Sequence, residues 1–347
     1  MARPAPRRLL SAAVLGAVLG PVLSGGLATA AAATDSDFRL GLPVDCEMGR
    51  VCVVQNYVDQ DPGPAARDHT CGPLAYDGHS GTDIRVPSLV EMREGVAVLA
   101  AADGKVKATR DGMADVSIRD IDQAEIEGRE AGNGVVVVHP GGWETQYSHL
   151  LKGSVTVRPG DPVTRGQVLG LIGLSGRTEF PHVEFSVRRN GETLDPFTGQ
   201  APGSGCGRPG RSLWSEAAAA RLAYRPGGLL LAGFAARKPA LDGVLKGGFR
   251  RDSLTAAAPA LVFWAVSWGL RGGDEEVLVI TRPDGSELLR AETEVPRDKA
   301  QWFRFGGKKR PPEGWAPGRY RADYRVLRRD PEGPREVVKV TREIELR

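Results

Sequence analysis

Between residues 95 and 197, short runs of β-branched residues end again and again at Gly, Pro or Asn-Gly. That punctuation leaves little room for helices. It demands a sheet of short antiparallel strands, because hairpin turns are the only connections of that length. "GVAVLAAADGKVKATR" (95–110) reads as two strands about Ala-Asp-Gly. "NGVVVVHPGGWETQYSHL" (133–150) reads as two strands about "HPGG", and "HVEFSVRRNGETLDPF" (182–197) as a hairpin turning at Asn190-Gly191. Two segments interrupt the pattern. "VPSLVEMREG" (86–95) can hold a short helix, and the acidic stretch 111–132 is either the border of a cleft or a solvated insertion.

Around this unit the chain divides further. Residues 1–33 have Arg3, Arg7 and Arg8, then an apolar run, then small residues, the layout of a secretory signal peptide cut near Ala30–Ala33. The other reading of that segment is a retained anchor. No later run approaches the roughly 20 apolar residues of a membrane span. Residues 34–74 read as irregular, 75–206 as the β unit, and 207–226 as a linker with a short Ala-rich helix. From 227 to 347 six to eight strands with recurrent turn signals suggest an immunoglobulin-like β-sandwich, so the fold class is all-β throughout. That last part contains neither His nor Cys from residue 225 onward, and reads as a binding module or a structural appendage. Trp264, Trp268 and Trp302 are expected in or near its core, and "GGKKRPP" (306–312) as a basic loop between strands.

Charge and cysteines narrow the class. The formal charge is +3, and the first 33 residues carry three Arg and no acid, so the remainder is close to neutral. A nucleic-acid binder usually keeps a basic excess, so none is expected here. Cys46, Cys52, Cys71 and Cys206 are an even set on an exported chain, which favours disulfides over a metal site because no C-x-x-C occurs. Of the three pairings, Cys46–Cys52 with Cys71–Cys206 is favoured.

The chemistry has few residues to draw on. Five His exist, at 69, 79, 139, 149 and 182. "GHSGTDI" sets His79 and Asp83 four apart, "TQYSHL" ends a strand at His149, and "PHVEFSV" sets His182 and Glu184 on one face of a strand. Zinc takes imidazole and carboxylate ligands and keeps one position open in catalytic sites. Imidazoles beside it can move a proton or stabilise an oxyanion. Each fragment alone is common by chance. Their order and their strand contexts are more specific.

These stretches, with "GVAVLAAADGKV", "GNGVVVVHPGGWETQYSHL" and "VRPGDPVTRGQVLGLIGLSGRTEFPHVEFSV", resemble the LytM/lysostaphin-type zinc metallopeptidases that cleave peptide cross-links of bacterial peptidoglycan. The resemblance covers residues 75 to 197. It implies a compact antiparallel β fold with a groove over the sheet and one Zn²⁺ per chain. It also implies His79 and Asp83 as ligands and His149 and His182 as catalytic histidines. The family's last motif is H-x-H, and its second His is the third ligand. Here that position is Glu184. Glu is a legitimate zinc ligand. Two His and one Asp leave one positive charge on the zinc, whereas one His, Asp83 and Glu184 leave none, so the water beside it is polarised less.

Two functions follow. One is an exported metallo-endopeptidase acting on a peptidoglycan peptide, in the periplasm or outside the cell. The other is an impaired family member that binds cell wall or regulates a partner hydrolase. Among secondary residues, Tyr147 shares the face of His149 if the strand is regular and then lines the groove. His139 is read as structural or solvated, His69 as a surface residue, Glu179 as a reserve ligand, and Arg177 as a contact for a substrate carboxylate.

Overall fold

The computed structural model describes residues 1–2, 5, 38–331 and 333–347. The expected signal segment, apart from residues 1, 2 and 5, and its expected cleavage site at Ala30–Ala33 lie outside the described residues. Residues Phe38–Arg347 form one compact unit. In chain order it holds β1 (Val53–Asn56), β2 (Thr82–Arg85), helix α1 (Leu89–Glu94), β3 (Ala97–Leu99), β4 (Gly104–Arg110), β5 (Asn133–Val138) and β6 (Trp143–Leu150). Then come β7 (Pro162–Val163), β8 (Val168–Leu171), β9 (His182–Arg189), β10 (Glu192–Leu194) and helix α2 (Glu216–Arg221). The rest is β11 (Gly228–Ala235), α3 (Leu241–Leu245), β12 (Ser253–Leu254), β13 (Ala260–Leu270), β14 (Glu275–Thr281), β15 (Glu287–Glu294), β16 (Lys299–Lys309), β17 (Gly318–Asp330) and β18 (Gly333–Leu346).

The main sheet runs β1-β2-β9-β6-β5-β4-β7, with β10 hairpinned to β9, and every pairing in it is antiparallel. The Asn190-Gly191 turn works as read: both residues take positive φ, 51° and 88°, as a tight hairpin requires. Val135 and Val137 point into the core while their neighbours Val136 and Val138 are only half-buried, the period of a strand with one core face. Segment 34–74 is not wholly irregular. It supplies β1, which extends the sheet beside β2. It does so because "VVQN" is buried along its whole length and finds an open edge.

The C-terminal strands form a three-stranded sheet, β11-β13-β16, and a five-stranded one, β12-β18-β17-β14-β15. Phe234 and Phe263 of the first share a core with Ile280, Tyr320 and Tyr324 of the second, so the two sheets pack face to face. Strand β13 is buried on both faces. Leu261, Phe263 and Ala265 enter that core, and Trp264, Val266 and Trp268 enter the core of the main sheet. This accounts for "ALVFWAVSW" as an unbroken apolar run. Segment 207–226 also packs inward through Leu213, Trp214, Ala218 and Leu222. Gly306–Lys309 are not a loop but the end of β16, paired with β13 from Ala260 to Phe263, because the glycines let the backbones approach. The disulfides are Cys46–Cys52 and Cys71–Cys206, the favoured pairing. Among the described residues no helix is long and apolar enough to cross a membrane.

Candidate metal and catalytic site

Strand β9 is central, and its parity sets the site. Val183, Phe185 and Val187 face the core and are fully buried, which turns His182, Glu184 and Ser186 to the opposite face. On β2 the same rule sends Ile84 inward and Asp83 and Arg85 to the site face. The register then makes Asp83 the direct cross-strand partner of Glu184, and Arg85 that of His182. Two carboxylates opposite each other repel. A cation between them would remove that cost.

His149 arrives by a different route. Trp143, Thr145 and Tyr147 on β6 are buried toward the core, so regular geometry would send residue 149 the same way. Instead His149 has φ of 63°, which reverses its direction. Its ring ends 3.4 Å from Glu184, Nε2 to Oε2, and 4.7 Å from the ring of His182. The expectation that Tyr147 lines the groove is thereby corrected. Its hydroxyl accepts from the Ala101 N–H at 2.7 Å, and the residue is core.

Each imidazole is held by its back. His149 Nδ1 donates to the Ser175 carbonyl at 2.7 Å, and His182 Nδ1 to the Phe180 carbonyl at 2.9 Å. A carbonyl only accepts, so in the neutral rings both Nε2 atoms are bare. Ser175 comes this close because Gly132 has no side chain: a Cβ there would lie 2.3 Å from the Ser175 oxygen. His79 is clamped by its backbone, its carbonyl accepting from Asp59 N–H at 2.8 Å, while Asp59 Oδ2 takes the Gly78 N–H at 3.1 Å.

The bare atoms converge. His79 Nε2 lies 3.3 Å from Asp83 Oδ1, and His182 Nε2 lies 3.5 Å from the same oxygen. Asn56 Nδ2 donates to the other oxygen of Asp83 at 2.8 Å and fixes the carboxylate. His79 Nε2 and Asp83 Oδ1 are both buried with no hydrogen-bond partner. Such orphans are costly unless a proton or a metal joins them. Electrostatics agree. Burial opposes a charged His79, but Asp83 outweighs it and holds its pKa above the ordinary value. Burial likewise opposes an ionised Asp83, and His79 and His182 overcome that and hold it well below the usual carboxylate range. For Glu184, burial is overcome chiefly by the nearby His149, and the pKa is lowered. The donor set therefore fits a divalent cation at His79 and Asp83. Glu184 is turned to His149, and among the described residues no group of three or more metal-ligating side chains is assembled.

The site lies in a cleft of about 530 Å³ whose walls come from three parts of the chain. Ile118 of the acidic insertion forms one wall, Phe180 and Arg177 another, and Leu270 with Asp298–Ala300 a third. The insertion thus borders the cleft, held by Ile118 N–H to the Thr178 carbonyl at 2.9 Å and by Asn133, which bonds both backbone groups of Met113. Glu179 is occupied by Arg119 at 2.6 Å. His139 is structural, held between the Asp103 carbonyl and Thr145. His69, expected at the surface, is half-buried: it stacks on Phe197 at 4.9 Å and packs on Tyr57. The roles of Asn56 and Asp59 escaped the sequence reading, since neither lies near its target in the chain.

Residues 77–196 match Peptidase family M23. Peptidoglycan DD-endopeptidase ShyA of Vibrio cholerae is 31% identical over 124 residues, which are 36% of this chain and 23% of that protein. DD-carboxypeptidase/endopeptidase Mpg of Neisseria meningitidis is 29% identical over 126 residues, 36% of this chain and 23% of that protein. Cell division protein DipM of Caulobacter vibrioides is 30% identical over 110 residues, 32% of this chain and 14% of that protein. The chain spans less than a quarter of the length of these curated relatives. The matched residues include His79 and the strands that carry Asp83, His149, His182 and Glu184, so the similarity to peptidase family M23 spans the candidate site.

Proposed function

We propose that the chain is an exported metallo-endopeptidase that hydrolyses peptide bonds of peptidoglycan cross-links, with one zinc ion at His79, Asp83 and Glu184. The observation that carries the reading is the pair of buried, unpartnered atoms His79 Nε2 and Asp83 Oδ1, 3.3 Å apart, with the second Asp83 oxygen held by Asn56. Zinc bound there supplies Lewis-acid polarisation of the scissile carbonyl and a more acidic water. His149, its Nδ1 held by Ser175, keeps Nε2 free to take a proton from the attacking water. His182, held likewise by Phe180, offers its Nε2 side to the developing oxyanion once protonated. The walls of the cleft orient the peptide and exclude bulk water. Relatives named for peptidoglycan endopeptidase activity support the substrate class and a periplasmic or secreted location.

A second reading has its own observation. Glu184 faces His149 rather than the His79–Asp83 pair, as expected of an impaired domain that binds cell wall or regulates a partner hydrolase. The test is zinc titration of the metal-free protein, with His79→Ala as control, followed by digestion of purified peptidoglycan. One tightly bound zinc lost in the control, with chelator-sensitive release of peptides, supports the endopeptidase. Binding to the wall without release supports the second reading.

A further inference from the structure

The cleft over the histidines opens into a larger groove of about 880 Å³ beside it. The two share Gln55, Glu179, Phe180, Asp298, Lys299 and Ala300. Half of the junction therefore comes from the start of β16, in a region with no histidine of its own. Its orientation is set by Gln301, whose Oε1 accepts from Arg85 Nη1 at 3.1 Å. Arg85 is wholly buried on the site face of β2, opposite His182, with its guanidinium 4.4 Å from the Phe180 ring. Its side chain meets two neutral glutamines and, among the described residues, no carboxylate. Lys299, the first residue of β16, lines both the cleft and the groove.

The charges around Lys299 are otherwise engaged. Glu179 is paired with Arg119, and Asp298 Oδ1 takes the Gly272 N–H at 3.0 Å. The Lys299 ammonium lies 5.4 Å from the Trp302 ring, a contact that fixes it without using its N–H donors, and it forms no ion pair among the described residues. A half-buried ammonium with free donors at the mouth of a peptide cleft selects a carboxylate.

We propose that Lys299 is a specificity-determining residue that binds a carboxylate of the substrate peptide, so that β16 supplies a subsite to the M23 cleft. The proposal rests on the endopeptidase reading only for the ligand being a peptide. The full chain, purified free of metal, is titrated by calorimetry at pH 7 with a soluble cross-linked disaccharide–peptide dimer from digested peptidoglycan. The same dimer with its carboxylates converted to amides is the comparison ligand. Wild type is expected to bind the free acid about tenfold more tightly. Lys299→Met, which keeps the aliphatic stem over Trp302, brings the ratio to about 1 with unchanged thermal unfolding, and Lys299→Glu favours the amide. Equal affinities in wild type, no binding of either dimer, or a preference that survives Lys299→Met overturns the subsite. Hydrolysis with zinc is measured separately. Carboxylate preference without cleavage refutes the endopeptidase and leaves the subsite standing.

Discussion

At position 149 a histidine occupies the left-handed region, at φ 63°. That conformation costs an L-residue about 1–2 kcal/mol, and the regular strand would bury the ring in the core. The His149 ring reaches the cleft only because the backbone turns there. His149→Gly is therefore expected to be more stable than His149→Ala by about 1 kcal/mol in urea unfolding, the reverse of the order in a strand interior. Both variants lose hydrolysis. Position 184 is the other residue on which chemistry turns. Glu184→Ala is expected to abolish chelator-sensitive wall hydrolysis, and Glu184→His to tighten zinc about tenfold or more in a competition titration, through the added imidazole and the removed Asp83–Glu184 repulsion. Unchanged zinc affinity in both would remove position 184 from the ligand set. Both residues were legible in the sequence as types, and Glu184 as a departure. The reversal of His149 was not, because a positive φ at a non-glycine residue has no sequence signal when tertiary hydrogen bonds from Ala131 and Ser175 impose it.

Among the elements, the hairpins declared themselves. Asn190-Gly191 and the alternating valines of β5 led directly to turn and strand, since their determinants are local. Contacts distant in sequence did not: β1 joining β2, and Asn56 reaching Asp83, depend on loop closure over 27 residues. The loop after β10 adds a pH-sensitive element. Asp195 is buried, and its carboxylate accepts from Phe197 N–H and Gln60, yet burial raises its pKa to about 6 against an ordinary 3.8. The protonated form is favoured by folding. Its contribution is full below pH 3.8 and is lost as pH rises toward 6, where about 3 kcal/mol is forfeited. Asp195→Asn is expected to flatten the pH dependence of urea stability between about 4 and 6. A wild-type slope retained in the variant would assign it to another group.

On the scale of the whole molecule, the disulfide Cys71–Cys206 joins segments 135 residues apart, just before His79 and just after the LDPF turn. Closing so long a loop restricts the unfolded chain, and Cys71→Ser with Cys206→Ser is expected to cost about 2–5 kcal/mol, read as a lowered urea midpoint. The Cys46–Cys52 pair closes a loop of only a few residues and its removal should cost less. Strand β13 has a comparable reach, since its two faces join the core under the main sheet to the core between the C-terminal sheets. The sequence by itself determined strand periodicity, turn positions, the candidate site residues and the charge deficit at 184, because these depend on residue type and near spacing. Only tertiary structure decided that Glu184 turns to His149, that Asn56 and Asp59 hold Asp83 and His79, and that β16 walls the cleft. Those outcomes depend on which distant backbones meet, and a pairing between strands far apart in the chain leaves no mark on either strand alone.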